Sequence, residues 1–227
     1  MVILIYGEDG LRVKEKREEL MRAFKERHDP SGMNVDRFVV PGQEDAAIQV
    51  VGAVPFMAKR RMVVVEGLSE SITKKDDAAT WTKRFIGRGD EAIVVLVDGL
   101  TIEQAKKNKL YTALREAEKV HEYAFGLMSD RELEAFVCER AKRLGVEWDA
   151  AAVRAIIERV GEDSWRLSQE IHKVSSAVER DTAVDRVLVE TIVVPSYDDA
   201  LFAFLEAIRD FHWQASIKTF LFLELTF

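Results

Sequence analysis

Two carboxylates stand near the start of the chain where a phosphate-binding loop would need other groups. Glu8 and Asp9 lie between Gly7 and Gly10, after an apolar run that predicts a buried strand and before a charged segment that predicts a helix. Strand-to-helix turns that hold phosphate carry several glycines and then Lys-Ser or Lys-Thr, so that backbone N–H groups and an ammonium surround the phosphate oxygens. This turn lacks that pair. Its carboxylates would repel a triphosphate, although their charge suits the positive end of the following helix.

Two further carboxylates, Glu66 and Asp98, each follow an apolar run and so end a predicted strand. A magnesium-binding carboxylate could lie at either position. Without residues that hold phosphate, however, neither has a metal-bound nucleotide to coordinate, and we interpret both as polar strand ends at the rim of a sheet. The pattern predicts a nucleotide-binding architecture that has lost its chemistry, which favours a binding or mechanical role.

Other catalytic and metal-binding patterns are missing from the sequence. No serine lies in a Gly-x-Ser-x-Gly turn, and the histidines lie in separate elements without zinc-ligand spacing: His28, His121, His172 and His212. The lone cysteine, Cys138, lies among helical apolar positions, and we interpret it as a small buried hydrophobic residue. We therefore expect no catalytic residue, no metal and no cofactor.

An apolar segment with a proline joins a predicted helix to a predicted strand: Val54-Pro55-Phe56-Met57. Two interpretations are open. Phe56 and Met57 could fold into the core as a staple. Alternatively, they could stay at the surface, because anchored aromatic residues on preorganised turns are typical of protein-interaction hot spots.

Two basic groups could contact an acidic partner or nucleic acid. Lys59-Arg60-Arg61 directly follows the apolar segment, and Lys106-Lys107 lies on a predicted helix after Asp98. Charge runs are usually solvated surface, which is the simpler interpretation of both groups. Three or four cations alone are weak evidence for nucleic-acid binding.

The first half of the chain alternates predicted strands with predicted helices. The strands cover residues 2–6, 35–40, 61–67, 92–97 and 119–125, and the helices cover 15–26, 44–52, 81–86 and 106–117. The strands at 61–67 and 92–97 are almost continuously apolar, which is typical of strands buried on both faces. This order predicts an α/β fold with a mainly parallel sheet and helices on both faces.

From residue 129 onward the pattern is helical only. Helices are predicted over residues 129–144, 149–160 and 163–178, with a weaker one over 185–192, and together they predict a small helical bundle with its own core. Two apolar helices are predicted over 198–211 and 214–225. We interpret that last part as a truncated third domain, or as a surface completed by a partner.

Composition restricts the class of partner. The chain has 227 residues, enough for two compact domains, and a net charge of -7, which gives no electrostatic basis for tight, autonomous DNA binding. No signal peptide precedes the first strand, and no apolar run approaches the roughly 20 residues that span a bilayer. We expect a cytoplasmic protein.

Four strings, in this order along the chain, resemble the delta subunit family of the bacterial clamp loader, the DNA polymerase III subunit that opens the sliding clamp. They are Ile5-Tyr6-Gly7-Glu8-Asp9, Pro55-Phe56 before Lys59-Arg60-Arg61-Met62-Val63-Val64-Val65, Lys109-Leu110-Tyr111, and Gly161-x-Asp163-x-Trp165-x-Leu167-x-x-Glu170-Ile171-x-Lys173. The resemblance covers the whole chain. It implies an AAA+-like α/β domain without a functional P-loop at residues 1–126, a three-helix lid domain at 127–195, and the truncated beginning of a helical collar domain at 196–227.

The resemblance also implies a mechanism and a set of partners. In that family, apolar residues of the first domain insert into a hydrophobic pocket on the clamp and destabilise its ring interface. The matching positions are Val54, Pro55, Phe56 and Met57; because the family often has a larger aliphatic residue at the position of Pro55, the anchoring would depend mainly on Phe56. The implied partners are the sliding clamp (beta subunit), loader subunits of the gamma/tau and delta-prime type, and primed DNA indirectly through the complex.

The resemblance implies that this chain hydrolyses no nucleotide. Two alternatives stay open. One is an AAA+-related ATPase with an unconventional nucleotide site. The other is a nucleic-acid-binding module that uses the two basic groups, Lys59, Arg60, Arg61, Lys106 and Lys107.

Overall fold

The computed structural model describes residues 1–72, 74–86, 91–117, 120–179 and 183–195. The chain divides into two compact units, one covering Met1–Leu127 and one beginning at Met128. The predicted collar segment, residues 196–227, lies outside the described residues.

The first unit is built on a five-stranded sheet in the order β2-β3-β4-β1-β5, in which every neighbouring pair is parallel. The strands are β1 (Val2–Tyr6), β2 (Val35–Val39), β3 (Arg61–Glu66), β4 (Ala92–Asp98) and β5 (His121–Ala124). The predicted parallel α/β fold and its five strands are confirmed.

Among the described residues of this unit, six helices connect the strands: α1 (Gly10–His28), α2 (Glu44–Gly52), α3 (Leu68–Ser71), α4 (Lys75–Ile86), α5 (Ile102–Lys107) and α6 (Lys109–Ala117). They cover both faces of the sheet. On one face, Leu4 and Tyr6 of β1 pack in a core with buried residues of α2, α4 and α6. On the other face, Ile3 and Ile5 pack with Val13 and Phe24 of α1 in a second core. Alternate side chains of β1 therefore belong to different cores, as expected for a central parallel strand.

Three predicted helices have different bounds in the structure, and the one predicted at 81–86 begins at Lys75. The first begins at Gly10 rather than residue 15, because the side chain of Asp9 caps it by accepting a hydrogen bond from the N–H of Arg12. The predicted helix at 106–117 is two helices. Asn108 separates them, since its backbone is extended and its side-chain oxygen accepts hydrogen bonds from the N–H groups of Leu110 and Tyr111, at 3.0 and 3.1 Å.

The second unit has four helices among its described residues, α7 (Asp130–Arg143), α8 (Ala150–Val160), α9 (Ser164–Ser176) and α10 (Arg186–Ile192), and a short parallel pair, β6 (Glu147–Trp148) with β7 (Ala183–Val184). The three main helices and the weaker one after them match the predicted positions, whereas the strand pair was not predicted. Cys138 is exposed on α7. The prediction that it is buried is wrong, because its neighbour Val137 faces the core instead.

Within the described part of the chain, no helix combines the length and the apolar character needed to cross a bilayer.

Candidate functional site

The turn at residues 7–10 lies at the carboxyl end of β1, between β4 and β5, where ligands bind in open parallel sheets. Gly7 has a φ of +151°, and a Cβ atom placed there would lie 1.9 Å from the carbonyl oxygen of Phe125. The turn therefore packs directly against the backbone that follows β5. Only glycine fits this position.

Two N–H groups of the turn and one of the helix that follows it are used inside the protein. The N–H of Asp9 donates to the carbonyl of Phe125 at 3.1 Å, and the N–H of Gly10 donates to the carbonyl of Glu8 at 3.1 Å. The N–H of Arg12 donates to a carboxylate oxygen of Asp9 at 3.0 Å. In a phosphate-binding turn, such groups point toward the ligand. Here a carboxylate of the chain itself lies at the start of the helix.

The charge of Asp9 is also neutralised by an arginine of the helix that it caps. The side-chain Nε of Arg12 lies 2.7 Å from its second oxygen, and the same guanidinium donates to the carbonyl of Gly126. The carboxylate of Asp9 is almost fully excluded from solvent. A buried carboxylate with charged and backbone partners is a stable occupant of the helix N-terminus, so a phosphate would have to displace it.

A cleft of about 290 Å³ lies beside this turn and is lined in part by Gly7, Lys14, Arg17, Glu66 and Asp98. Two of its charged side chains, Arg17 and Glu66, bind each other. Arg17 lies 2.9 Å from a carboxylate oxygen of Glu66, and Arg37 donates to the same carboxylate. Glu66 is therefore an ion-paired group at the end of β3.

Asp98 ends β4 at the rim of the sheet, as the sequence predicts, but its side chain is buried rather than exposed to solvent. It is 3% exposed. One carboxylate oxygen accepts a hydrogen bond from the hydroxyl of Tyr111 at 2.7 Å, and the other accepts one from the N–H of Ser69 at 3.2 Å. Burial raises the pKa of Asp98 above its ordinary value, and burial followed by the charge of Asp98 raises that of Tyr111. Both oxygens have internal partners, so a metal ion would have to displace them.

The apolar segment lies in the loop at residues 53–60, which precedes β3 and therefore lies at the amino-terminal edge of the sheet, opposite the turn at residues 7–10. Val54 is 81% exposed, Phe56 58% and Met57 93%, while Pro55 is half-buried. The interpretation in which Phe56 and Met57 fold into the core is therefore wrong. Their role in binding a partner stays a prediction.

The 53–60 loop is held by a residue that the sequence interpretation missed. Asn34 is fully buried, and its side-chain amide donates to the carbonyl of Phe56 at 2.9 Å and accepts from the N–H of Phe56 at 2.6 Å. Met57 has a φ of +52°, which is unusual for a residue other than glycine. The two bonds therefore hold the backbone of the loop at Phe56, although the side chains of Val54, Phe56 and Met57 are exposed.

The basic residues next to the loop differ in accessibility. Lys59 is exposed and Arg60 half-buried. The guanidinium of Arg61 is largely buried; it lies 3.5 Å from the carboxylate of Asp36 and donates to the carbonyl of Val50 at 3.3 Å. Arg61 is thus engaged within the protein.

The second basic group, Lys106 and Lys107, follows the carboxyl end of β4. Lys106 is paired with Glu103 at 2.7 Å. Because the strands are parallel, the group near β3 and the group after β4 lie at opposite edges of the sheet. The five predicted cations do not form one basic surface.

The described residues contain no group of three or more histidine, cysteine or acidic side chains arranged to hold a metal ion.

Glu122 also has partners within the protein. Arg115 binds its carboxylate through two N–H groups at 2.7 and 2.8 Å, and this bond lowers the pKa of Glu122. Tyr6 donates its hydroxyl to the same carboxylate at 2.9 Å. These contacts are typical of ion pairs that tie neighbouring elements together.

Comparison with solved structures identifies the fold. The chain is similar to the DNA clamp loader delta protein YqeN of Bacillus subtilis, with a TM-score of 0.65 and 19% sequence identity over 99% of this chain and 67% of that one. It is also similar to the RuvB Holliday junction branch migration motor of Thermotoga maritima, with a TM-score of 0.51 and 14% identity over 84% and 60% of the two chains. Domain III of the replication initiation protein DnaA from the same organism has a TM-score of 0.52 and 12% identity over 86% and 85%.

Sequence comparison adds no relative: no protein-family model matches the chain, and no curated protein does. At identities of 12–19%, structural likeness defines the fold. The chain has an AAA+-like α/β fold, and its similarity to a clamp-loader delta protein extends over nearly its whole length.

Proposed function

We propose that this chain is a clamp-loader subunit that binds the sliding clamp of a replicative DNA polymerase and opens its ring. The observation that carries the proposal is the exposed apolar loop at residues 53–60, on a fold similar to that of a clamp loader delta protein. Val54, Phe56 and Met57 project from a backbone that is held in place, as expected for an anchor that enters a pocket on a partner.

Phe56 is the main anchor in this proposal. Burial of a phenylalanine side chain contributes about 2 kcal/mol, which is large for a small interface. Val54 and Met57 add apolar area beside it, and the half-buried Pro55 stiffens the backbone between them.

Ring opening follows from differential binding. A subunit that binds the open ring more tightly than the closed ring shifts the population of the clamp toward the open form. No chemical step in this chain is needed for that shift. Nucleotide hydrolysis is assigned to partner subunits of the loader, and primed DNA is contacted through the complex.

Two features support a non-catalytic role. In the turn at residues 7–10, the N–H groups of Asp9 and Gly10 are used internally, and the carboxylate of Asp9 caps the helix where a phosphate would bind. Asp98, at the end of β4, is buried with both oxygens bonded. An ATPase with an unconventional site would have to rearrange both features. A nucleic-acid-binding module would need one basic surface, whereas the predicted cations lie at two edges of the sheet.

The test is a calorimetric titration of the chain into its cognate sliding clamp. We expect saturable binding with a dissociation constant that changes little between about 50 and 200 mM salt, because the contact is apolar; DNA binding through phosphates would weaken steeply over that range. Titration with Mg-ATP should release no heat. No binding to the clamp, or saturable binding of Mg-ATP, would contradict the proposal.

Opening is measured separately from binding. A fluorophore pair placed across the ring interface of the clamp should lose energy transfer when the chain is added in excess. A chain that binds the clamp but leaves the energy transfer unchanged would be a clamp-binding protein without the opening activity.

A further inference from the structure

We infer that Asn34 is a positioning residue for clamp binding: its buried side chain presets the backbone of Phe56, so that the affinity for the clamp depends on a residue that cannot touch it. This inference rests on the proposed function and names the element that controls its site. Asn34 lies in the turn at residues 29–34, which joins α1 to β2.

The geometry of the amide carries the inference. The side chain of Asn34 makes two hydrogen bonds to the backbone of one residue, as donor to the carbonyl of Phe56 and as acceptor from its N–H. One bond lies on each side of the α-carbon of Phe56, so together they fix the orientation of the two peptide groups that flank it. They therefore fix the direction in which the Phe56 side chain leaves the backbone.

Asn34 is itself held by neighbouring elements. Its N–H donates to a carboxylate oxygen of Asp29 at 2.7 Å, and its carbonyl accepts from the N–H of Met62 in β3 at 2.8 Å. Asp29 follows α1 directly and accepts a hydrogen bond from the hydroxyl of Ser31 at 2.6 Å. A series of bonds thus connects the end of α1 and the start of β3 to Phe56.

The loop needs such a support because its three large exposed apolar side chains supply little packing of their own. Val54, Phe56 and Met57 are all exposed, and Met57 has a left-handed backbone that residues other than glycine rarely adopt unless the surroundings impose it. A loop that must be ordered during binding loses affinity relative to a loop already in the bound conformation.

The first experiment needs no partner. Hydrogen exchange, followed by NMR, reports whether the N–H of Phe56 is held in the free protein. We expect this amide to exchange at least about 100-fold more slowly than an unprotected amide, although it lies in an exposed loop. The protection should be lost in Asn34→Leu, which keeps a similar side-chain volume without the two bonds. Unprotected exchange of Phe56 in the wild type would overturn the inference.

The second experiment is a double-mutant cycle on clamp affinity. Asn34→Leu should weaken binding about tenfold, and should have almost no effect when Phe56 is already replaced by alanine, because Asn34 acts through Phe56. Tyr111→Phe serves as the matched control, since it removes a buried hydrogen bond from the opposite edge of the sheet. It should leave clamp affinity unchanged even if it lowers stability as much as Asn34→Leu does.

The possible results separate the two claims. If the wild type binds the clamp and folded Asn34→Leu binds equally well, or if the two replacements act additively, the inference is wrong and the proposed function stands. If the wild type does not bind the clamp, the proposed function fails, and the exchange of the Phe56 amide decides alone whether Asn34 holds the loop.

Discussion

The hydroxyl of Tyr111 lies 2.7 Å from a carboxylate oxygen of Asp98. Tyr111 belongs to α6 and Asp98 ends β4, so the bond joins a helix to the carboxyl edge of the sheet. In a nucleotide-hydrolysing protein with this kind of fold, this edge would need carboxylate oxygens that face the ligand. Here both carboxylate oxygens of Asp98 accept hydrogen bonds from within the protein.

Replacing Tyr111 by phenylalanine should lower the free energy of unfolding by about 2 kcal/mol, because a buried carboxylate loses a hydrogen bond and no water can replace it. Denaturant titration measures the loss. Tyr6→Phe is the matched control. It removes a similar hydroxyl from Glu122, but that carboxylate is more exposed and keeps its two bonds to Arg115, so the loss should stay below about 1 kcal/mol. Equal losses would contradict the special role of the bond to Asp98.

The buried Asp98 predicts a pH dependence of stability. Its pKa is raised above the ordinary value of 3.8, chiefly by burial, so the folded state binds this proton more tightly than the unfolded state does. The contribution of the proton to stability is therefore complete below about pH 4 and is lost as the pH rises through the raised pKa. The Asp98→Asn variant has no titratable group at this position and therefore serves as the reference.

The measurement is denaturant unfolding of both proteins at a series of pH values. The wild type should lose free energy of unfolding relative to Asp98→Asn as the pH rises from about 4. If the difference in free energy of unfolding between the two proteins is the same at every pH, the pKa of Asp98 is not raised in the folded state. Clamp binding by Asp98→Asn should equal that of the wild type, since we assign Asp98 no part in the function.

The close approach at the turn predicts that Gly7→Ala is strongly destabilising. The new Cβ would overlap the carbonyl oxygen of Phe125, and relief requires the backbone of the turn to move, for a loss of about 3 kcal/mol or more. Gly32→Ala is the control in the same unit. Gly32 also has a positive φ, of +72°, but the nearest atom to its Cβ would be the flexible Lys25 side chain at 3.5 Å, so only about 1 kcal/mol should be lost. Similar losses for the two variants would mean that the turn is not closed by Phe125.

The sheet could be predicted from sequence because continuous apolar runs such as those of β3 and β4 have few alternatives to a buried parallel strand. The break between α5 and α6 could not be predicted from sequence. Asparagine also occurs inside helices, so its presence at position 108 does not predict a break. Only the hydrogen bonds of Asn108 to Leu110 and Tyr111 show that one helix ends and another begins there. The early start of α1 at Gly10 likewise depends on a contact, the hydrogen bond by which Asp9 caps the helix.

The candidate site was predictable only in part. The apolar composition of the 53–60 loop made it a candidate, but composition does not tell an exposed Phe56 from one folded into the core. Asn34 was not predictable, because its two bonds to Phe56 cross 22 positions of sequence. A single polar residue before a strand gives no sign of such a contact. The exposure of Cys138 likewise depended on which face of α7 turned toward the core.

The most direct test of the central claim is the clamp affinity of Phe56→Ala, measured by calorimetry beside Val39→Ala. Val39 is also an exposed hydrophobic residue of the first unit, but it lies at the opposite end of its strand from the edge that bears the 53–60 loop. We predict that Phe56→Ala weakens binding to the cognate clamp at least tenfold, or about 1.4 kcal/mol, while its free energy of unfolding changes by less than about 0.5 kcal/mol. Val39→Ala should bind as the wild type does. Unchanged affinity of a folded Phe56→Ala, or an equal loss in both variants, would contradict the account.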